Sequence, residues 1–310
     1  MDITLLKTFL EVANTGSFVA ASERLFVTQS AVSLRIQRLE DSIGQPLFTR
    51  SKAGAELTSA GAHFERYALS LIKIWEEARQ QVAIPEGFAR TLTIGAQYSL
   101  WPRLGFRWLD RIQAIAPDLN VRAELGMPDR LTRFLVEGTV QCALSYSPNI
   151  RPGLEATKLL EEELILVASW PNPTMGLEGR YIFIDWGPEF TQAHATQLPE
   201  LKNTGITLAI GALAVDYVTR RRAAAFLPAR YIQDQIDAGT LHLVPDAPRF
   251  PYPIWAVWRA DTDPIVRAVA ETSLAEIIKE IDLVQAKLLT QLAKISENHE
   301  VQTLGDIAPK

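Results

Sequence analysis

The sequence predicts a multidomain α+β chain. A small helical unit with a short hairpin is joined by one long helix to a larger α/β unit of two lobes. Three observations carry this expectation. Residues Ser17 to Arg50 hold two short helical patterns that meet at a tight corner and run into a Pro-Leu-Phe turn. From Thr58 to about Ile84 the apolar positions recur in alternating steps of three and four, the spacing of a helical seam. From Leu92 onward strand-like runs alternate with helical ones, as in βαβ units. At 310 residues the chain is long enough for two or three units with cores of their own.

In the N-terminal unit, Ile3 to Ala13 is amphipathic, with Leu5, Phe9 and Val12 or Ala13 on one stripe and Gly16 as the stop. Ser17 caps a second helix whose Ala20, Ala21 and Leu25 suit close helix packing. Thr28 caps a third, with Val32, Ile36, Leu39 and Ile43 facing inward. Rotation of about 100° per residue then turns Ser30, Leu34, Gln37 and Arg38 outward, with Gln29, Ser33 and Arg35 on the flanks. These side chains suit a DNA major groove: Gln pairs with adenine, Arg forks onto guanine, hydroxyls take base edges or phosphates, and Leu packs on a thymine methyl. A solvated helix face carries the same residue types, so the residues alone leave both readings open. Gly44 and Pro46 end the helix, and Phe48 and Leu57 anchor two short strands around Arg50 and Lys52, a wing that would bring both cations to the DNA backbone.

The long helix after Thr58 places Gly61, Phe64, Ala68, Leu71, Trp75, Ala78 and Val82 on one heptad seam. A second copy of the chain would cover such a seam; burial against its own domain is the alternative. Pro85, Glu86 and Gly87 stop it at a hinge.

In the C-terminal unit the expected strands are Leu92 to Ile94, Val121 to Leu125, Cys142 to Ser145, Ala156 to Leu160 and Leu164 to Ser169. The expected helices between them are Leu104 to Ile115 and Leu131 to Glu137. After a loop rich in Pro and Gly, a second set runs from Tyr181 to Val244; Ile254 to Trp258 returns to the first lobe, and Pro264 opens a long last helix. Two such lobes joined by crossing strands have the architecture of periplasmic-type binding proteins, with a ligand cleft between them. Where strands of both lobes end, the candidate ligand contacts are Gln97, Ser99, Leu100, Met127, Ser145, Tyr146, Trp186 and Phe226. Arg220 to Arg222 read either as a solvated helix end or as an anion site.

Composition narrows the function classes. Charged residues at 22% and apolar residues at 47% describe an ordinary folded chain rather than a disordered one. The net charge of −5 is unevenly spread: residues 1 to 90 hold 10 basic and 10 acidic side chains, and the rest hold 21 and 26. Within Arg24 to Lys52 five basic residues oppose two acidic ones, a modest footprint for few phosphate contacts per subunit, so oligomerisation is expected to supply the remaining affinity. The single cysteine, Cys142, excludes an internal disulfide and sits in an apolar run as a core thiol. No signal-peptide core and no bilayer-spanning apolar run is present, which predicts a cytoplasmic protein. His63, His194, His242 and His299 are scattered, and no metal spacing, nucleophile elbow, phosphate loop or dinucleotide fingerprint occurs. The expectation is no catalytic residue, no metal and no cofactor.

The run TQSAVSLRIQRLEDSIGQPLFTR closely resembles the DNA-binding signature of LysR-type transcriptional regulators, and LTSAG at Leu57 to Gly61 resembles the end of that family's wing. The resemblance extends more weakly into the C-terminal unit, clearest in VTRRRAAAFLP from Val218 to Pro228. One departure is Leu34, where many members carry a basic or polar residue, so base preference there is expected to differ. The resemblance implies a fold of N-terminal winged helix-turn-helix, long linker helix and C-terminal α/β periplasmic-binding-protein-like domain of two lobes. The expected divisions are a DNA-binding domain at 1–58, a linker helix and hinge at 59–88 and an effector domain at 89–283. Its lobe I comprises about 89–168 and 254–283 and its lobe II about 169–253, and a helical extension and tail follow at 284–310. DNA contacts are expected from Thr28, Gln29, Ser30, Ser33, Leu34, Arg35, Gln37, Arg38, Arg50 and Lys52. Phe64, Ala68, Leu71, Trp75, Ala78 and Val82 are expected to form a dimer seam. The implied partners are double-stranded promoter DNA, a small-molecule effector and further copies of the chain in a dimer or tetramer, with RNA polymerase a candidate partner and the nucleoid the place of work. The rival readings are a cytoplasmic small-molecule binding protein or enzyme built on the two lobes, and a regulator that uses no effector.

Overall fold

The structure, a computed structural model, describes residues 2–51, 54–201 and 205–296. Its N-terminal unit opens with α1 (Ile3–Thr15), capped by the Asp2 carboxylate, which accepts from Thr4 N at 2.8 Å. Next come α2 (Phe18–Arg24) and α3 (Gln29–Ile43), capped by the hydroxyls of Ser17 and Thr28 as their sequence positions predict. Val32, Ile36 and Leu39 are fully buried against Leu6, Phe9 and Val12, so the inward face of α3 is the one its spacing indicates. The wing is an antiparallel pair, β1 (Phe48–Ser51) and β2 (Gly54–Leu57), in the register Phe48 to Leu57. Glu40 of α3 accepts from the backbone N–H groups of Leu47 and Phe48 at 2.7 and 3.1 Å and fixes the wing to the helix. Ala55 N donates to Gly16 O at 2.8 Å, and a Cβ at Gly54 would lie 2.5 Å from that same oxygen, so only glycine fits there.

The long helix α4 (Ser59–Val82) begins against the wing, and its first half belongs to the N-terminal core. Ala68 and Ile72 are buried there, with Phe64 and Leu71 packed on the same cluster. The six-residue seam therefore divides: Phe64, Ala68 and Leu71 are covered by their own domain, while Trp75, Ala78 and Val82 stay exposed. Tyr67 and Ile74 join the exposed set, with Tyr67 66%, Ile74 60%, Trp75 49% and Val82 89% accessible. The physical reason is that a three-four repeat on one helix serves either a partner helix or the small core beneath it, and here the core takes the first half, as far as Ile72.

The C-terminal unit runs β3 (Arg90–Ala96), α5 (Phe106–Ile115), β4 (Leu119–Leu125), α6 (Pro128–Glu137), β5 (Cys142–Ser145) and β6 (Leu154–Leu160) in lobe I. Lobe II follows with β7 (Glu163–Ala168), β8 (Phe183–Ile184), α7 (Pro188–Gln197), β9 (Thr207–Leu208), α8 (Ala214–Thr219), β10 (Ala224–Pro228), α9 (Ala229–Asp237), β11 (His242–Leu243) and β12 (Phe250–Pro251). The chain then returns through β13 (Ile254–Arg259) and ends its described part with α10 (Pro264–Ile295). Lobe I is a five-stranded sheet in the order β4-β3-β5-β13-β6, parallel at its β4-β3-β5 side and antiparallel where β13 inserts.

Four features differ from the sequence expectation, the first being that Glu163–Ala168, expected at the end of lobe I, pairs with β10, β11 and β12 and so belongs to lobe II. The helix expected from Leu104 starts at Phe106, because Pro102 is extended and Arg103 takes a left-handed φ of 65°, which breaks the first turn. The central strand of lobe II, β7, is antiparallel to β10, β11 and β12, since it arrives directly from lobe I instead of through a helical crossover. A helix, α7, occupies a stretch with weak amphipathic periodicity, and Gly187 followed by Pro188 at its first position was its sequence signal.

The last helix spans both lobes. Val266, Ala270, Leu274, Ile277 and Ile281 are buried in the core of lobe I, where Trp108 Nε1 donates to Ala270 O and Ser273 Oγ. Leu288 and Leu292 are buried in the core of lobe II. Between them Gln285 accepts from Glu163 N and donates to Glu161 O at 3.2 and 2.8 Å, at the crossing between lobes. The continuation of the helix beyond Val284 thus holds within the described residues; the tail expected after it lies outside them.

Candidate nucleic-acid interface and effector cleft

Helix α3 presents the expected outer face. Gln29, Ser30, Leu34, Gln37 and Arg38 are exposed, with Ser33 and Arg35 half-buried on its flanks. Thr28 spends its oxygen on the cap, accepting from Ala31 N at 3.2 Å, and stands 3.0 Å from the Ser30 hydroxyl. Arg35 donates to Thr8 Oγ1 at 3.4 Å, which leans its guanidinium toward α1. Arg50 of the wing lies over the Phe18 ring at 4.2 Å, a stacked cation set beside the start of α2. Lys52 lies outside the described residues. Arg24 is committed elsewhere: it pairs at 3.2 Å with the buried Glu11, which also pairs at 3.2 Å with Arg133 of α6 and so ties the N-terminal unit to lobe I. Lys73 and Glu77 of α4 meet Asp261 and Arg259 on the other side of that junction.

Between the lobes, several of the ligand candidates come together and close on one another. Gln97 accepts from Ser145 Oγ at 3.0 Å and Tyr146 N at 2.9 Å. The Tyr146 ring stacks on Tyr252 at 3.9 Å, Trp186 stands edge-on to Tyr252 at 5.4 Å, and Trp186 Nε1 donates to Phe226 O at 2.9 Å. Gln97, Ser99, Ser145, Tyr146 and Trp186 are all buried. Two expected contacts, Leu100 and Phe226, are corrected by their packing. Leu100 is fully buried in the core of lobe I. Phe226 is buried among Phe190 and Phe250 inside lobe II, because alternate residues of β10 face opposite sides. Met127 is 58% exposed at the start of α6.

Sequence reading missed the group that joins the lobes. Arg230 of α9 pairs with Glu162, and both are buried. Its guanidinium also donates to Ser99 O at 2.9 Å and Tyr146 Oη at 2.7 Å, and Tyr231 Oη donates to Ser99 O as well. Burial pushes the Glu162 carboxyl above its ordinary value against the pull of Arg230, and burial holds the Tyr146 hydroxyl protonated. The available signals were an arginine just after the Leu-Pro of β10 and a glutamate in a run of acidic residues, and neither reveals burial. The arginine run proved a helix end: Arg221 lies over the Tyr217 ring at 3.9 Å, and Arg220 forms the C-cap of α8.

A capped helix-turn-helix with a wing, followed by a long helix and a two-lobed α/β domain, defines a DNA-binding transcriptional regulator with an effector-binding domain. Residues 3–62 match the family model of the bacterial regulatory helix-turn-helix proteins of the lysR family, and residues 85–277 match the LysR substrate binding domain. The chain belongs to the LysR family of transcriptional regulators. It is 32% identical over 266 residues to the HTH-type transcriptional regulator HdfR of Escherichia coli, across 85% of this chain and 94% of that protein. Among solved structures, a full-length OxyR variant from Pseudomonas aeruginosa shares the fold with a TM-score of 0.53 at 21% identity, covering 89% of this chain and 98% of that one. Full-length LysG from Corynebacterium glutamicum, solved with bound effector Arg, gives a TM-score of 0.53 at 19% identity, covering 90% and 99%. The proteins matched are regulators, and this chain is a regulator rather than an enzyme. No helix among the described residues is long and apolar enough to cross a membrane.

Proposed function

We propose that α3 reads promoter DNA from the major groove through Gln29, Ser30, Ser33, Leu34, Arg35, Gln37 and Arg38, with Arg50 and Lys52 of the wing on the backbone. Thr28 acts by capping the reading helix. The observation that carries this reading is that Gln29, Ser30, Leu34, Gln37 and Arg38 are exposed on the outer face of α3 while its apolar face and caps are committed to the fold. Two copies pair through the exposed stripe Tyr67, Ile74, Trp75, Ala78 and Val82 of α4, and pairs of effector domains join the dimers into a tetramer. A small molecule held between the lobes shifts the spacing of the reading helices, in the cytoplasm and on the nucleoid, and so alters the contact with RNA polymerase. LysG with its bound effector Arg is the precedent for a ligand in this fold.

The test is a gel-shift series at fixed salt on a duplex selected from a randomised pool. Gln29→Ala and Arg38→Ala are each expected to cost about 1–3 kcal/mol of specific binding, roughly 5- to 150-fold, with circular dichroism unchanged. Arg35→Ala, already tethered to Thr8, is expected to lose least of the three. Undiminished specific binding in all three variants overturns the groove assignment.

A further inference from the structure

With the strand ends between the lobes filled by Tyr146, Tyr252 and Trp186, open space remains at the flanks of the cleft, one part of it lined by Arg103, Arg107 and Arg230 and the other poorer in cations. The second is a cavity of about 200 Å³ between the broken segment before α5 and the helices α8 and α9, walled by Tyr98, Arg103, Leu213, Asp216, Tyr231 and Gln235. From these walls we propose that the cavity takes a small protonated amine with a short apolar tail. This deepens the effector reading above and rests on it.

The backbone is shaped for this space. Arg103 holds a left-handed φ of 65°, a conformation that costs a non-glycine residue free energy and that clusters at ligand sites. The break turns the Arg103 side chain across the cleft to Asp234 at 2.6 Å, so its charge is already neutralised by lobe II. Tyr231 is fixed by donating to Ser99 O and Pro102 O, and its ring forms an aromatic wall.

The groups left over are acceptors. Gln235 Oε1 is shielded from water and has no donor. Asp216 at the rim has no cation paired with it among the described residues. The Tyr98 hydroxyl has no hydrogen-bond partner among the described residues, and burial, then the neighbouring Tyr231, hold it protonated above its ordinary range. It abuts Gly211, where a Cβ would come within 2.5 Å of its oxygen, so the two lobes meet at van der Waals distance beside the cavity. The Tyr231 ring already carries Arg103 at 5.9 Å and Arg230 at 4.7 Å, so recognition falls to the acceptors: a carboxylate, an amide oxygen and a hydroxyl lone pair together suit an ammonium group, whose N–H donors and charge they satisfy. Leu213 and its apolar neighbours cover a short hydrocarbon tail.

The test titrates the full chain, at constant ionic strength, with n-butylammonium, n-butanol and butyrate by ligand-observed NMR. These probes share a tail and differ in the head. Butylammonium is expected to bind in roughly the millimolar range, the scale open to so small a ligand, and butyrate at least about tenfold more weakly. Asp216→Asn is expected to weaken butylammonium up to about fivefold, as for a partly exposed ion pair. Gln235→Leu is expected to weaken it comparably, and Leu213→Trp, which fills the space, to abolish binding; thermal midpoints should stay within a few degrees of the parent. Butyrate binding as tightly as butylammonium, no binding by any probe, or butylammonium binding indifferent to all three variants each overturns the proposal. A different ligand that binds between the lobes and shifts DNA affinity would refute the amine and leave the effector reading standing, whereas failure of the gel-shift series bears on the DNA-reading helix alone.

Discussion

Arg230→Met is expected to destabilise the effector domain by roughly 3–5 kcal/mol, because it strands the buried Glu162 without its counter-charge. The same change removes the guanidinium that donates to Tyr146 Oη and one of the two donors to Ser99 O, which keeps Tyr231 Oη. The deficit has a defined pH dependence. Burial holds the Glu162 carboxyl above its ordinary value, and removing the arginine removes what opposes that rise. A group whose folded-state pKa is raised favours the fold while protonated, so the variant should recover stability as pH falls through the raised value and lose it as pH rises. The double variant Arg230→Met with Glu162→Leu, which removes both charges, is expected to regain most of the loss. Urea unfolding of the three proteins across pH checks this. A single variant as stable as the parent, or a double variant no better than the single, would mean that the pair does not hold the lobes.

The second large effect concerns α10. Leu288→Ala and Leu292→Ala each remove a buried side chain from lobe II at an expected cost of about 2–5 kcal/mol. Their position matters as much as their size. The same helix is buried in lobe I up to Ile281 and is pinned at the crossing by Gln285, so these two leucines are the far anchors of a splint between the lobes. Hydrogen exchange of the double variant should show lobe II amides losing protection while the N-terminal unit keeps it. Equal loss in both lobes, or none, would show that the helix end carries no such load.

Why the N-terminal unit was legible and the cleft was not follows from the kind of interaction each uses. In α2 and α3 the determinants are local: a hydroxyl at the cap, an apolar residue every three or four positions, a glycine at the end. Ser17, Thr28, Val32, Ile36, Leu39 and Gly44 each declare their role within a turn or two of chain. The α4 repeat was equally visible, but periodicity names a face without naming its partner, and the winged domain proved to cover Ala68 and Leu71 itself. The interlobe group is non-local. Arg230 meets Glu162 and Ser99 only after the chain has crossed from lobe I into lobe II, at separations of 68 and 131 residues. Leu100 and Phe226 were assigned to the cleft from their place at strand ends, whereas pleating and the broken turn at Pro102 and Arg103 send them into the cores.

In the proposed dimer α4 presents two α3 helices to DNA at once, which offsets the few phosphate contacts that the modest basic footprint of one copy supports. Sedimentation equilibrium of the full chain carrying Ile74→Glu and Trp75→Glu, paired with its affinity for the selected duplex, tests this most directly. Both residues lie on the exposed stripe and off the N-terminal core, so folding should be kept. The predicted result is a smaller assembly, with specific affinity lower by about 10²- to 10⁴-fold as simultaneous engagement is lost. An unchanged mass together with undiminished specific binding would contradict it.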